Sequence, residues 1–316
     1  MARNNPRTMR DVLIERICRK MQSDKSIFFI SADFGAPALD ELKQSYPDRF
    51  INVGIAEQNL INVSTGLAIE GFTVYAYAIA GFITMRAYEQ IRINLALSAQ
   101  LRDINVNLIG VGAGVSYDLS GPTHHCLEDI SIVRTLPNII LCSPCDWVTT
   151  ENFVDFSIDI KKPKYLRLDS KPLTEIYPQG TVFDWDKGCC ELIEGDNICI
   201  ISTGYMTRQA LDIAEELDNV GVIDIFVIKP ANYEYLHKLM KKYKFIITAE
   251  EGFKDKGGMD SLITNIMTQN KLSVEFMNFG FDDKYIFESG SRDVLYETAN
   301  FGNSDIIRAI KQSGYY

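Results

Sequence analysis

The stretch FINVGIAEQNLINVSTGLAIEG, Phe50 to Gly71, carries three signals in succession. Phe50 to Val53 is a short apolar run of strand composition, Gly54 marks a turn, and the apolar residues from Glu57 to Ile69 recur at helical spacing. Strand, glycine turn and helix make half of a βαβ unit, and the alternation extends outward in both directions. Upstream, helical spacing covers Met9 to Met21, followed by a strand at Ile27 to Ile30 and a helix near Leu39. Downstream, strands are predicted at Thr73 to Tyr77, Asn105 to Val111, Asn138 to Cys142 and Tyr165 to Leu168, with helices over about Thr84 to Ala99, Leu127 to Arg134 and Asp146 to Ile158. From Lys171 to Trp185, KPLTEIYPQGTVFDW has no helical period and reads as a linker. A second α/β unit opens with the strand NICIISTG at Asn197 and the helix YMTRQALDIAEEL. Strands at Val222 to Val227, Phe245 to Thr248 and Val274 to Met277 follow, alternating with helices at Tyr233 to Lys241, after Gly257-Gly258 and at Ser304 to Ile310. The fold class expected is α/β: two doubly wound, mostly parallel-sheet domains over 1–175 and 188–316, joined by 176–187.

Composition excludes several classes of function. Of 316 residues, 46% are hydrophobic and 23% charged, the balance of a soluble globular protein. Lys plus Arg number 32 against 42 Asp plus Glu, so the net charge of −10 repels a phosphate backbone and nucleic acid is not an expected partner. No apolar run reaches the roughly 18 residues that span a bilayer, and the charged N-terminus lacks a signal-peptide core, so a cytoplasmic protein without membrane association is expected. Seven cysteines at irregular spacings fit reduced thiols in that compartment.

Glu57 stands out in the opening stretch as a carboxylate at the mouth of a strand-to-helix turn in apolar surroundings. Half-burying such a group costs several kcal/mol unless it is paired or protonated. It either supplies negative charge to the first helical turn, worth roughly 0.3 to 1 kcal/mol, or serves chemistry.

Six motifs in order, INVGIAEQN, GFITMRAYEQIR, SGPTHHCLEDISIVRTLPN, CSPCD, VIKP and AEEGFKDKGGM, resemble the C-terminal two thirds of transketolases and of the related deoxyxylulose-phosphate synthases. The resemblance runs from about Arg7 to the last helix and implies a pyrimidine-binding domain followed by a transketolase C-terminal domain. Transketolases hold thiamine diphosphate between two modules, and the one that carries the diphosphate and its divalent metal is marked by Gly-Asp-Gly and a downstream Asn. No Gly-Asp-Gly occurs here; EGDN, Glu194 to Asn197, has the wrong order. The resemblance therefore implies the C-terminal, β-type subunit of a split transketolase, moving a two-carbon ketol unit from a sugar or sugar-phosphate donor to an aldehyde acceptor. It implies thiamine diphosphate and Mg2+ as cofactors, the metal held mainly by a partner N-terminal subunit, and an assembly with two copies of each chain.

By the same resemblance Glu57 matches the glutamate that hydrogen-bonds the pyrimidine nitrogen N1′ and promotes removal of the thiazolium proton. Ile55 and Asp33 are assigned to the cofactor site with it. Phe82 is the candidate ring against the pyrimidine, with Tyr88 behind it, although Phe82 also fits an ordinary core position. His124 matches the histidine that faces substrate oxygens, where a neutral imidazole donates a hydrogen bond or relays a proton. His125 stands where transketolases usually have Gln. Arg86 reads either as a substrate ligand or as an ion pair with Glu89 or Glu70. Arg167 in YLRLD and Arg10 in TMRD match phosphate-binding arginines of the family. Two features depart from the pattern. Ser120 replaces an Asp that contacts a sugar hydroxyl, with Asp118 as a possible replacement two residues away, and the loop VGAGVS, Val111 to Ser116, lacks a His or Arg for a substrate phosphate.

Other features are read as structural. Cys142-Ser-Pro-Cys145 reads as a strand-end turn into the Asp146 helix rather than a redox motif, GVGAGV lacks the dinucleotide fingerprint, and the adjacent histidines of HHC make a poor metal site, so no metal ligand is assigned. The alternatives to ketol transfer are a 2-oxo acid dehydrogenase β subunit, a deoxyxylulose-phosphate-type synthase subunit, and a non-catalytic scaffold or regulatory subunit.

Overall fold

The computed structural model describes residues 6–316, so the first five residues of the expected first domain lie outside the described residues. Two sheets organise the chain. The larger has seven strands in the order Val227–Lys229, Ile140–Cys142, Lys164–Leu168, Val106–Val111, Thr73–Ile79, Ile27–Ser31 and Phe50–Asn52. Every neighbour pair in it is parallel except the first. The smaller has five, in the order Glu275–Phe281, Phe245–Phe253, Ile198–Ser202, Val220–Ile225 and Cys189–Ile193, with only the last antiparallel. Strands such as Val106–Val111 and Ile198–Ser202 are buried along their whole length. This is why they read as continuous apolar runs rather than alternating ones: helices cover both faces of a parallel sheet.

Local chemistry sets the elements around the opening stretch. The strand Phe50–Asn52 ends at Asn52, whose Oδ1 accepts from Gly54 N at 3.0 Å and Asp33 N at 3.1 Å while its Nδ2 donates to Asp33 Oδ1 at 2.8 Å. One amide side chain thus ties together the ends of two adjacent strands. Gly54 then takes φ +76°, a left-handed turn open to glycine, and the helix Glu57–Ile69 starts three residues later. The helix Met9–Ser23 is capped by Thr8, whose side chain accepts from Asp11 N, and buries its apolar stripe of Met9, Val12, Leu13, Ile17 and Met21.

The expected elements are present with several corrections. Helical spacing over Thr84 to Ala99 is resolved into a helix Ala80–Arg86, a turn Tyr88–Gln90, a wide i-to-i+5 segment Ile91–Leu97 and a tight turn Ser98–Gln100. The linker segment contains a strand, Pro172–Leu173, paired with Arg7–Thr8. The second unit starts earlier than Asn197, with the edge strand Cys189–Ile193, and Phe245–Phe253 runs well past Thr248. The single strand expected at Val222 to Val227 is two: Val220–Ile225 stays in the smaller sheet, and Val227–Lys229 crosses to complete the larger. A helix at Arg292–Thr298 had no signal in the periodicity, being only seven residues long.

Because six strands of the larger sheet are parallel, the loops leaving Ile27–Ser31, Phe50–Asn52, Thr73–Ile79, Val106–Val111 and Lys164–Leu168 all emerge at one edge. Ligands of open α/β sheets bind in the crevice outside the carboxyl ends of the strands.

Candidate active site

At that edge the structure brings Glu57, Phe82, Arg86 and His124 together. Glu57 is the first residue of its helix and is buried, 5% exposed, although its neighbour Ile55 is 76% exposed. An acid enclosed beside an open face needs a partner. Arg86 supplies it: Nη1 donates to Glu57 Oε1 at 3.0 Å, so Arg86 pairs with neither Glu89 nor Glu70. The same guanidinium lies 4.0 Å from the centroid of the Phe82 ring, a cation–π contact. The Phe82 and His124 rings are 5.4 Å apart at 60°, and Tyr117 meets His124 edge-on at 6.2 Å. Thr123 Oγ1 is 3.0 Å from His124 Nδ1, which holds one ring nitrogen and fixes the imidazole's direction.

The loop that carries these histidines is shaped by two glycines and one acid. Gly112 has φ +98°, and a Cβ there would stand 2.2 Å from the Tyr117 ring. Gly114 has φ +58° and would place a Cβ at the same distance from Glu251 Oε2. The glycine loop is thus a close-approach device. Asp118, proposed from the sequence as a sugar ligand, is instead buried and committed: Oδ1 accepts from Lys171 Nζ at 2.8 Å and Leu119 N at 2.9 Å, and Oδ2 from Arg292 N at 3.3 Å. These bonds hold its carboxyl below the ordinary carboxylate range against the opposing effect of burial. Ser120 is exposed on the turn that follows. His125 is buried, and burial lowers its pKa against the opposing pull of Asp118.

Four further candidates make contacts outside that cluster. Arg167 is enclosed, 2% exposed, with Nε on the Asp129 carboxylate at 2.8 and 3.1 Å and Nη2 donating to the backbone oxygen of Glu251 at 2.6 Å. A phosphate cannot reach those two nitrogens, because all five residues of the strand Lys164–Leu168 are buried. Tyr88 commits its hydroxyl to Thr135 Oγ1 at 2.7 Å and the Ile132 carbonyl at 3.2 Å. Arg10 forms a two-point contact with Asp11, at 3.0 and 3.3 Å, within electrostatic reach of Tyr77 and Tyr117. Asp33 is exposed in its bond to Asn52.

Sequence reasoning missed the contribution of the second unit. Arg292, buried, pairs with Asp169 at 2.6 Å and Glu251 at 3.1 Å, and its guanidinium lies 3.7 Å from the centroid of Tyr205. Through Asp118 and Asp169 it anchors the two loops that flank the histidines. The available signal was the paired acid Glu250-Glu251 in an otherwise apolar strand, since buried acids require cations. Among the described residues, no group of three or more His, Cys, Asp or Glu side chains is arranged to hold a metal ion. No helix among them is long and apolar enough to cross a membrane.

A buried carboxylate, an aromatic ring and an oriented imidazole at an open sheet edge fit the aminopyrimidine half of thiamine diphosphate, offering it a carboxyl partner, a ring platform and a polar neighbour. Comparison with known proteins agrees. Residues 5–174 match the model of the transketolase pyrimidine-binding domain, and residues 190–306 that of the transketolase C-terminal domain. The chain belongs to the transketolase family. It is 30% identical over 298 residues to one subunit of the apulose-4-phosphate transketolase of Phocaeicola vulgatus, covering 92% of this chain and 93% of that one. It is 29% identical over 306 residues to the 6-deoxy-6-sulfo-D-fructose transketolase subunit SqwH of a Clostridium species, covering 95% and 92%. A solved structure described as a split gene transketolase, inactive beta4 tetramer, superposes with a TM-score of 0.85 at 26% identity, covering 96% of this chain and 97% of that one. The family supports a transferase of transketolase type, of which this chain is the C-terminal subunit, and implies dependence on thiamine diphosphate.

Proposed function

We propose that this chain is the pyrimidine-binding half of a split transketolase, active only with an N-terminal partner subunit, and that it transfers a two-carbon ketol unit from a sugar or sugar-phosphate donor to an aldehyde acceptor. The observation that carries this reading is the placement of Glu57, a buried carboxylate at an exposed edge, linked through Arg86 to the Phe82 ring that meets His124. The division into a pyrimidine-binding unit over 1–175, a linker over 176–187 and a C-terminal unit over 188–316 belongs to the same proposal, as does a cytoplasmic location.

When bound, thiamine diphosphate supplies an electron sink at its thiazolium carbon. Glu57 holds a proton at the pyrimidine N1′ position, and its burial keeps competing water from that hydrogen bond. Phe82 offers the apolar face that orients the ring, and Ile55, exposed on the turn before Glu57, adds apolar surface at the same edge. His124 donates to, or relays a proton at, the substrate oxygen nearest the reacting carbon. His125 stands in the same proposal as a further substrate contact, and Arg10 with Ser120 reads the more distant hydroxyl or phosphate groups. The diphosphate and its Mg2+ are held by the partner, in line with the missing Gly-Asp-Gly.

Two relatives named for a sugar phosphate and a sulfosugar support ketol transfer over acyl transfer to a lipoyl carrier. The inactive beta4 description of the solved split chain supports self-association and is in line with partner dependence; an active form with two copies of each subunit belongs to the same proposal. Glu57→Gln tests the proposal: with the partner present, the variant should fold normally and lose turnover of a ketose donor. Near-normal turnover would overturn the role of Glu57.

A further inference from the structure

We propose that Arg86 stands in for the cofactor's pyrimidine ring, occupying its place before assembly and swinging out when the cofactor arrives. This rests on the reading of Glu57 and Phe82 as the pyrimidine's contacts. The Arg86 guanidinium makes both of those contacts at once, through its 3.0 Å hydrogen bond to Glu57 Oε1 and its position 4.0 Å from the Phe82 centroid. A guanidinium and an aminopyrimidine share the features that matter here: each is planar, shares a hydrogen bond with a carboxyl group through one of its nitrogens and stacks on an aromatic face. Two such groups cannot lie between the same acid and the same ring.

The pair is asymmetric in a way that suits displacement. The Glu57 side chain is 6% exposed and the Arg86 side chain 50%, so the acid is fixed and the cation has solvent to move into. Gln58 Nε2 donates to the backbone carbonyl of Arg86 at 3.2 Å, so the main chain is held and only the side chain needs to turn. Arg86 closes the helix Ala80–Arg86, where a cation finds an alternative seat against the terminal carbonyls. The device has a reason in the split architecture. A subunit made apart from its partner carries a buried carboxylate with no cofactor to satisfy it, and a resident counter-ion removes that cost.

The test is calorimetric titration of the assembled complex with thiamine diphosphate at fixed Mg2+, comparing wild type with R86M, together with thermal melting of the chain alone. If the guanidinium is seated in about 80–95% of molecules, removing it tightens the apparent affinity about 5- to 20-fold. The free R86M chain should melt below wild type, and that drop should vanish in an E57Q background. R86K, which keeps the charge and loses the planar stack, should tighten binding by a smaller factor and serves in place of R86M if that variant fails to fold. Equal or weaker cofactor binding by these variants, with wild type binding normally, would overturn this inference alone. A wild-type complex that binds no thiamine diphosphate would overturn it together with the functional reading on which it rests.

Discussion

Asp129 and Arg167 form an ion pair whose side chains are 0% and 2% exposed, a setting in which removing one partner is far more harmful than removing both. Arg167→Met should therefore destabilise the chain by about 3–5 kcal/mol in urea unfolding, with partial recovery in R167M/D129N, and leave the KM for a phosphorylated donor unchanged in the folded fraction. A selective rise in that KM without loss of stability would restore the phosphate-binding role. His124 is the contrasting case. It is half-exposed, so His124→Ala should fold as wild type while kcat falls about 100- to 10,000-fold in steady-state assays with the partner. At this scale the sequence was legible where a residue's chemistry conflicted with its surroundings, as for Glu57. It was misleading for Arg167 and Asp118, because a motif position does not reveal which charges the fold brings to meet it.

Among the elements, the strand Phe245–Phe253 carries the clearest pH signature. Glu250 is buried, its Oε1 accepts from Asp260 N at 2.8 Å at the start of the helix Met259–Gln269, and Oε2 has no partner. Burial, reinforced by Asp260, raises its pKa from 4.5 to about 7. A carboxyl with a raised folded-state pKa binds a proton in the native state that the unfolded chain has released. Its contribution to stability is therefore greatest below about 4.5 and declines as pH rises to about 7. Glu250→Gln should flatten that decline in denaturation curves taken between pH 5 and 8; an unchanged slope would assign the pH dependence elsewhere. The neighbouring loop gives a second expectation. Gly112→Ala forces a left-handed φ on alanine and drives a methyl into Tyr117, so the ring should leave His124 and KM should rise more than kcat falls in steady-state kinetics. The sequence predicted strands and helices well where apolar period was long. The break after Arg86 escaped it because a wide turn shifts the apolar stripe without abolishing it.

Across the whole molecule, the two units are interlocked rather than strung on a linker. The strand Val227–Lys229 completes the larger sheet from the second unit, and Arg292, Glu251 and Arg167 join the units in one buried charge network. On the first unit's side, Arg134 Nη1 donates to the backbone oxygens of Gly257 and Gly258. The α/β class and its two-unit order were readable from alternation alone, since strand and helix periods differ. The interlock was not, because pairings between residues far apart in sequence leave no local trace. In the proposed reading the chain presents half of a cofactor site on an open edge, and Ile55, 76% exposed, and Leu119, 77% exposed, lie on loops of that edge.

Native mass spectrometry of the chain, alone and with its N-terminal partner, in thiamine diphosphate and Mg2+, bears most directly on that conclusion. We expect a complex with two copies of each chain that retains the cofactor, and a chain alone that self-associates and retains none. Cofactor held by the chain alone, or a complex that holds none, would contradict the shared site.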